Sequence, residues 1–327
     1  LAHSLSLAFL IAIFESASWS SDQILAFSSG LSSDQKCQPA AKKRLSSKSK
    51  KRQQELLQSN ATDNKRNEAE AEWHHRGDIA CSTALFIWPE LEPIVQDGSP
   101  EAITCICACA NSCLAHWAQN YENMTSQSVQ HLIQSIMLKF QEICSHHNRS
   151  VRGLTYEPIM ALNEALQREE SPIESIIVDH LFHCSMRLAV TCHYPKEYFE
   201  HMGQESDQDL EIERNDVRNV LRAVCGGEDA YSGPPNQSSI QILNKLLHSI
   251  FQSILGQTDE HGLPHESAVH ALSSLAKPLN VLAKAIDRDE VDSYEPLNMA
   301  CRAYSHVAAV LEKLLAKLEI SKTFAVS

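Results

Sequence analysis

From Ser99 to Leu318 the chain lays down one apolar stripe at helical spacing after another, and no segment alternates apolar and polar residues at period two. Apolar positions that recur every three or four residues share a face only in a helix, so this pattern dictates an all-α fold. "SPEAITCICACANSCLAHW" opens with Ser99 as N-cap, Pro100 in the first helical position and Glu101 in the first turn, with Ile103, Ile106, Ala110, Leu114 and Trp117 in register. "TSQSVQHLIQSIMLKFQEIC" carries a wide stripe from Val129 to Ile143, and "YEPIMALNEALQ" places Pro158 in a first turn. "SPIESIIVDHLFHCSMRLAV" begins with a capping box at Ser171 and Glu174. "DLEIERNDVRNVLRAV" and three further helical stretches follow, with a break expected near Pro278 and a last stripe through Leu297, Tyr304, Val307, Leu311, Leu314 and Leu318.

Units starting near Ser126, Ser171 and Asp207 are spaced by about 45 and 36 residues, which brackets the roughly 40–47-residue period of HEAT and armadillo repeats. One helix pair cannot bury its own apolar face, but stacked antiparallel pairs can, and a helical-repeat solenoid results. A compact helical domain is the alternative. Short connections between helices of similar length favour the solenoid.

Composition narrows the function classes. The 10 glycines in 327 residues are about 3 %, against an average of about 7 %, which speaks against a glycine-loop nucleotide binder. The 11 cysteines are odd in number and sit inside apolar stretches, the pattern of a reduced protein of cytoplasm and nucleus and not of a disulfide scaffold. No apolar run is long enough to span a bilayer. "LAHSLSLAFLIAIF" lacks a preceding basic segment and is interrupted by Ser4 and Ser6. Residues 1–27 therefore read as the end of an upstream helical repeat, with a secretory signal as the alternative. Residues 28–70 read as a flexible basic and polar insertion, including Lys42, Lys43, Arg44, Lys50, Lys51 and Arg52, and residues 71–327 as the solenoid. Eight Lys or Arg fall between Lys36 and Arg52 with no acid. The net charge of −13 therefore leaves an acidic body, which attracts basic partners and disfavours nucleic acid.

Three stretches invite a chemical reading. Four cysteines in "CICACANSC" suggest a metal cage, but on a helix Cys105 and Cys113 lie about 12 Å apart along the axis, and zinc needs every sulfur at about 2.3 Å. Packing thiols are the expectation. In "HLFHC", His180 and His183 share a helix face by spacing, without a carboxylate to complete a ligand set. "HESAVH" has its second histidine one residue too late for the zinc-protease helix. With no catalytic constellation, no cofactor site and no metal site, the expectation is a protein without bond chemistry. Arg214, Arg218 and Arg222 follow i, i+4 spacing, with Glu211 and Asp216 beside them, and read either as a solvated face or as a partner-binding strip.

The same stretch, "ERNDVRNVLRAV" with an acidic lead-in and "YPKEYFEHM" before it, resembles a mid-chain segment of the importin-β superfamily, the karyopherins, and within it the importin-related branch that includes transportin-type receptors. The specific likeness covers Tyr194 to Cys225. Elsewhere it is the helical repeat pattern alone. The resemblance implies an internal piece of a HEAT-repeat nuclear transport receptor that binds protein cargo with basic segments and responds to the Ran GTPase. Nucleoporins would be further partners, and membranes and bare nucleic acid would not. A general α-solenoid interaction scaffold in an unrelated assembly is the second reading.

Overall fold

The computed structural model describes residues 10–15, 68, 71–72, 74–94, 100–166, 173–191, 205–226, 235–256 and 266–325, and among them every regular element is helical. They fall into two compact units. The first comprises Leu1–Ile94 with Glu101–Ile133, and the second Val95–Pro100 with Gln134–Ser327.

In the first unit, helix α1 (74–91) packs on α2 (Pro100–Gln119). Helix α2 begins where its proline and first-turn glutamate require. It is buried over most of its surface, with Ile103, Ile106, Leu114 and Trp117 on one flank and Cys105, Cys109, Ser112 and Cys113 on another, while Thr104, Ala108, Asn111, Ala115 and Ala118 make a half-buried face. Such a helix belongs at a core, and its cysteines, alanines and serine are small enough to let neighbours come close. Ala80, Cys81, Ala84, Trp88 and Leu91 form the buried stripe of α1. Of residues 1–27 only 10–15 are described. They are helical, Phe14 is buried, and its carbonyl accepts a hydrogen bond from the Ser112 hydroxyl.

Helix α3 (Gln127–Cys144) crosses the boundary between the units. The second unit continues with α4 (Arg149–Gly153), α5 (Tyr156–Leu166), α6 (Glu174–Thr191), α7 (Glu205–Val224), α8 (Gln237–Gly256), α9 (Glu266–Ser274), α10 (Ala276–Asp287) and α11 (Glu295–Ala325). Its packing is layered. Helices α6, α8 and α11 lie side by side in sequence order, and α5, α7 and α9 form a second layer against them.

Contacts within a layer run in the same direction along both helices. Gln141 of α3 meets His180 of α6, and farther along Ser145 meets Arg187. Glu174 and Asp179 of α6 meet Ser238 and Lys245 of α8 in that order. In the second layer Arg152 meets Glu213 and Asn163 meets the Ala223 carbonyl. Alternate helices are therefore parallel neighbours while successive ones change layer, which is the arrangement of a helical-repeat fold built from packed helix pairs.

The repeat is uneven. Helices of the first layer begin at Gln127, Glu174, Gln237 and Glu295, separations of about 47, 63 and 58 residues against the roughly 40–47 of regular HEAT units. The spacing expected from Ser126, Ser171 and Asp207 mixed the layers, because Asp207 lies in α7, a helix of the second layer. Helix α6 starts at Glu174, and Ser171, its expected cap, lies outside the described residues. The expected break at Pro278 is present. Helix α9 stops at Ser274, and Pro278 sits in the first turn of α10, where a missing N–H costs nothing. Helix α7 stops at Val224, and Gly226 in the turn that follows has a φ of +73°, open to glycine, where a Cβ would stand 2.9 Å from Cβ of Pro235.

Candidate functional site

The five residues singled out on α7 do not form one exposed strip. Arg214 is only 4 % exposed, Glu211, Arg218 and Arg222 are half-buried, and Asp216 is exposed. The reason is helical drift. Positions four apart advance by about 40° per step, so the arginine line winds across the helix and does not stay on its open face. Arg214 falls on the buried stripe of Val217, Val220, Leu221 and Val224. The basic ridge expected in solvent is thus corrected: Arg214 is a core-facing residue, and Arg218 donates to Asn215 Oδ1 at 2.9 Å. The open face of α7 is instead Ile212, Asn215, Asp216 and Asn219, at positions i, i+3, i+4 and i+7, with Ile212 58 % exposed.

Beside that face lies a buried polar cluster. Arg152 donates through Nε at 2.8 Å and Nη2 at 2.5 Å to Glu213 Oε1, and through Nη1 to the carbonyls of His146 and His147. Arg149 Nε stands 3.8 Å from Glu213 Oε2. Arg152 and Glu213 are each about nine-tenths buried, so this pair fixes the α3–α4 turn to α7 in a low-dielectric setting. The asparagine that caps α4, Asn148, accepts from the Ser150 N–H at 2.9 Å and holds the turn in place. Reading the charges of α7 as spread around a solvated helix missed Glu213. A signal was available: Glu213 lies four residues before Val217, on the apolar stripe, where a charge needs a buried partner.

The "HLFHC" stretch does not assemble a ligand set. His180 is buried and His183 exposed, so the shared face expected from their spacing is corrected. His180 Nδ1 accepts from Gln141 Nε2 at 3.1 Å, and Nε2 lies 3.7 Å from Cys184 Sγ, contacts that suit a neutral imidazole. Burial, helped by the neighbouring His183, pulls its pKa down to about 3. A group whose folded pKa is depressed below about 6.5 stabilises the fold above that pH and loses its contribution as the pH falls toward 3. His116 shifts in the same direction, through burial. Unfolding free energies measured in urea should therefore fall between pH 6.5 and pH 5.5 by about 1 kcal/mol less in His180→Gln than in the wild type, half of the unfolded-state imidazole being already protonated at the upper pH. Parallel pH profiles of the two proteins would contradict a buried neutral His180.

The cysteines pack. Cys105, Cys107, Cys109 and Cys113 are buried, with Cys81 of α1 against Cys113. The Cys81 thiol is held far above its ordinary range by a hydrogen bond with Cys113 and by burial, and burial pushes Cys105 up to about 11. Thiols that resist ionisation neither bind metal readily nor attack. Among the described residues no group of three His, Cys, Asp or Glu could hold a metal ion, and no helix is long and apolar enough to cross a membrane. Residues Lys42, Lys43, Arg44, Lys50, Lys51 and Arg52, the segment 194–204 that precedes α7, Cys192, His193 and His265 lie outside the described residues.

No family model, no curated protein and no solved structure matches the chain.

Proposed function

We propose that this chain is a protein-binding helical-repeat scaffold of the nuclear transport receptor kind. It binds protein cargo through side chains and does no bond chemistry. The observation that carries the reading is the open face of α7. The helix bearing the karyopherin-like segment turns a mixed stripe of Ile212, Asn215, Asp216 and Asn219 to solvent while its other side is anchored in the layer. An apolar side chain flanked by amides and a carboxylate offers an anchor, hydrogen bonds and an acidic contact together. The chain's charge of −13 draws basic segments toward it and speeds encounter. In the transport reading Ran-GTP and cargo favour different conformations of one flexible repeat array, so each weakens the other's binding by the same factor. Nucleoporins would meet the same array in nucleus and cytoplasm.

The test uses the full chain and a synthetic peptide with two clusters of lysine and arginine. Ile212→Asp combined with Asp216→Lys should weaken peptide binding about tenfold or more. The melting temperature should stay within about a degree, because both side chains are exposed and surface changes cost little. Ran-GTP, and not Ran-GDP, should displace the peptide. Peptide binding that ignores both nucleotide forms supports the general scaffold reading over transport. Unchanged peptide affinity in the double variant removes α7 as the contact surface.

A further inference from the structure

Helices α3 and α6 meet in a register that two contacts fix. Gln141 of α3 reaches His180 of α6 at 3.1 Å, and Ser145, just past the end of α3, reaches Arg187 of α6 at 3.1 Å. Cys144 and Cys184 fall between those contacts, and their thiols stand within hydrogen-bonding reach of each other. Both belong to the second unit, and both are fully buried free thiols.

The pair is shielded at rest, yet it sits at a helix end. Burial holds the Cys184 thiol well above its ordinary value, so the closed structure presents no thiolate. Cys144 is the last residue of α3, the next residue, Ser145, is exposed, and helix ends open locally far more readily than helix middles. Two groups beside Cys184 favour its thiolate. Arg187, nearly one turn along and exposed, acts through its charge. His180, one turn earlier, carries its hydrogen on Nε2 because Nδ1 accepts from Gln141, and that Nε2 lies 3.7 Å from Cys184 Sγ. The thiols in contact in the first unit differ in place. Cys81 lies inside α1, and Cys113, which touches both Cys81 and Cys109, lies inside α2.

We infer that Cys144 and Cys184 are a peroxide-responsive pair whose disulfide staples the end of α3 to α6. When Cys144 and Ser145 lift away, water and oxidant reach Cys184. Its thiolate attacks one oxygen of hydrogen peroxide, the O–O bond breaks, and a sulfenic acid forms on Cys184 while hydroxide leaves and is protonated to water. Closing the turn brings back Cys144, whose sulfur attacks the sulfenic sulfur. The S–O bond breaks, the hydroxyl departs as water with the Cys144 proton, and the disulfide remains. Two thiols have lost two electrons and two protons, and the peroxide has become two waters. A reducing thiol pool reverses the bond, so the staple is a transient state that follows the oxidant.

The experiment treats the full chain, freed of reductant, with a small excess of hydrogen peroxide, alkylates the remaining thiols in denaturant and maps the unreduced peptides by mass. Peptides joined through Cys144 and Cys184, and separated by dithiothreitol, are expected, with Cys81 and Cys113 recovered alkylated. The bond closes a loop of about 40 residues, so the oxidised protein should melt on the order of 5–10 °C higher. That rise should vanish in Cys144→Ala, where dimedone should trap the sulfenic acid on Cys184. Recovery of both Cys144 and Cys184 as alkylated thiols, with only exposed Cys301 oxidised, overturns the proposal. So does a Cys81–Cys113 bond that forms first, since oxidation would then not depend on a helix end. The wild-type peptide map decides the question by itself if the variant folds poorly.

Discussion

Glu213→Ala is expected to destabilise the second unit by about 3–5 kcal/mol, the usual cost of removing one partner from a buried ion pair. Arg152 would keep its bonds to the His146 and His147 carbonyls but lose both bonds to the carboxylate, and its charge would stay about nine-tenths buried. In a unit of this size about 1 kcal/mol shifts the melting temperature by roughly 2–4 °C, so a drop on the order of 10 °C should appear in a thermal scan. The informative comparison is Glu213→Leu with Arg152→Met. Removing both charges leaves no orphan, and such replacements are often neutral, so the double variant should recover most of the loss. A mild effect of Glu213→Ala, below about 1 kcal/mol, would mean that water reaches the pair and that it does not clamp the α3–α4 turn to α7. Arg149, at 3.8 Å and 40 % exposed, is too far and too wet to take over the role.

The second large effect lies in the first unit, at Gly77. Glycine inside a helix ordinarily costs about 1 kcal/mol relative to alanine, so Gly77→Ala in α1 looks like a stabilising change by propensity alone. The opposite is expected. A Cβ built there would lie 2.0 Å from Nδ1, 2.4 Å from Cγ and 2.5 Å from Cε1 of His116. The ring cannot swing away cheaply. It is 2 % exposed, its Nε2 lies 3.2 Å from Asp78 Oδ1, and Asn120 Nδ2 reaches its Nδ1 at 3.2 Å. Either those two contacts break or α1 lifts off α2, and overpacking of this kind costs about 1–3 kcal/mol or more. In urea unfolding, Gly77→Ala should therefore lose about 2–3 kcal/mol. His116→Ala removes the three clashing atoms, so adding Gly77→Ala to that background should cost nothing or recover some helix propensity. A double-mutant cycle with purely additive effects would rule out this contact as the reason for glycine.

Several features of the fold are legible in the chain because they rest on local chemistry. Pro100 and Glu101 mark the start of α2, Pro158 marks the first turn of α5, and Pro278 separates α9 from α10, since a proline without N–H and with fixed φ fits only a first turn. Burial of the cysteine helix follows from the same reasoning, because four thiols strung along one helix cannot converge on an ion.

The candidate site is legible only in part. Arg214, Arg218 and Arg222 look equivalent as letters at i, i+4 spacing, yet the first is buried and the others lie at the edge of the core. His180 and His183 look like a pair and are divided between core and solvent. Glu213 needed Arg152, sixty-one positions earlier, before its burial made sense. The units counted from Ser126, Ser171 and Asp207 merged two layers, because a helix start does not reveal which layer the helix joins.

Helix type and helix limits were thus determined by the sequence, since periodicity, proline and cap residues act within one turn of the chain. Which flank of α7 faces a neighbour and why Gly77 must lack a side chain were decided by tertiary structure. Each of these depends on what another helix, tens of residues away, brings to within a few ångströms, and burial energy is set by that neighbour and not by the residue alone.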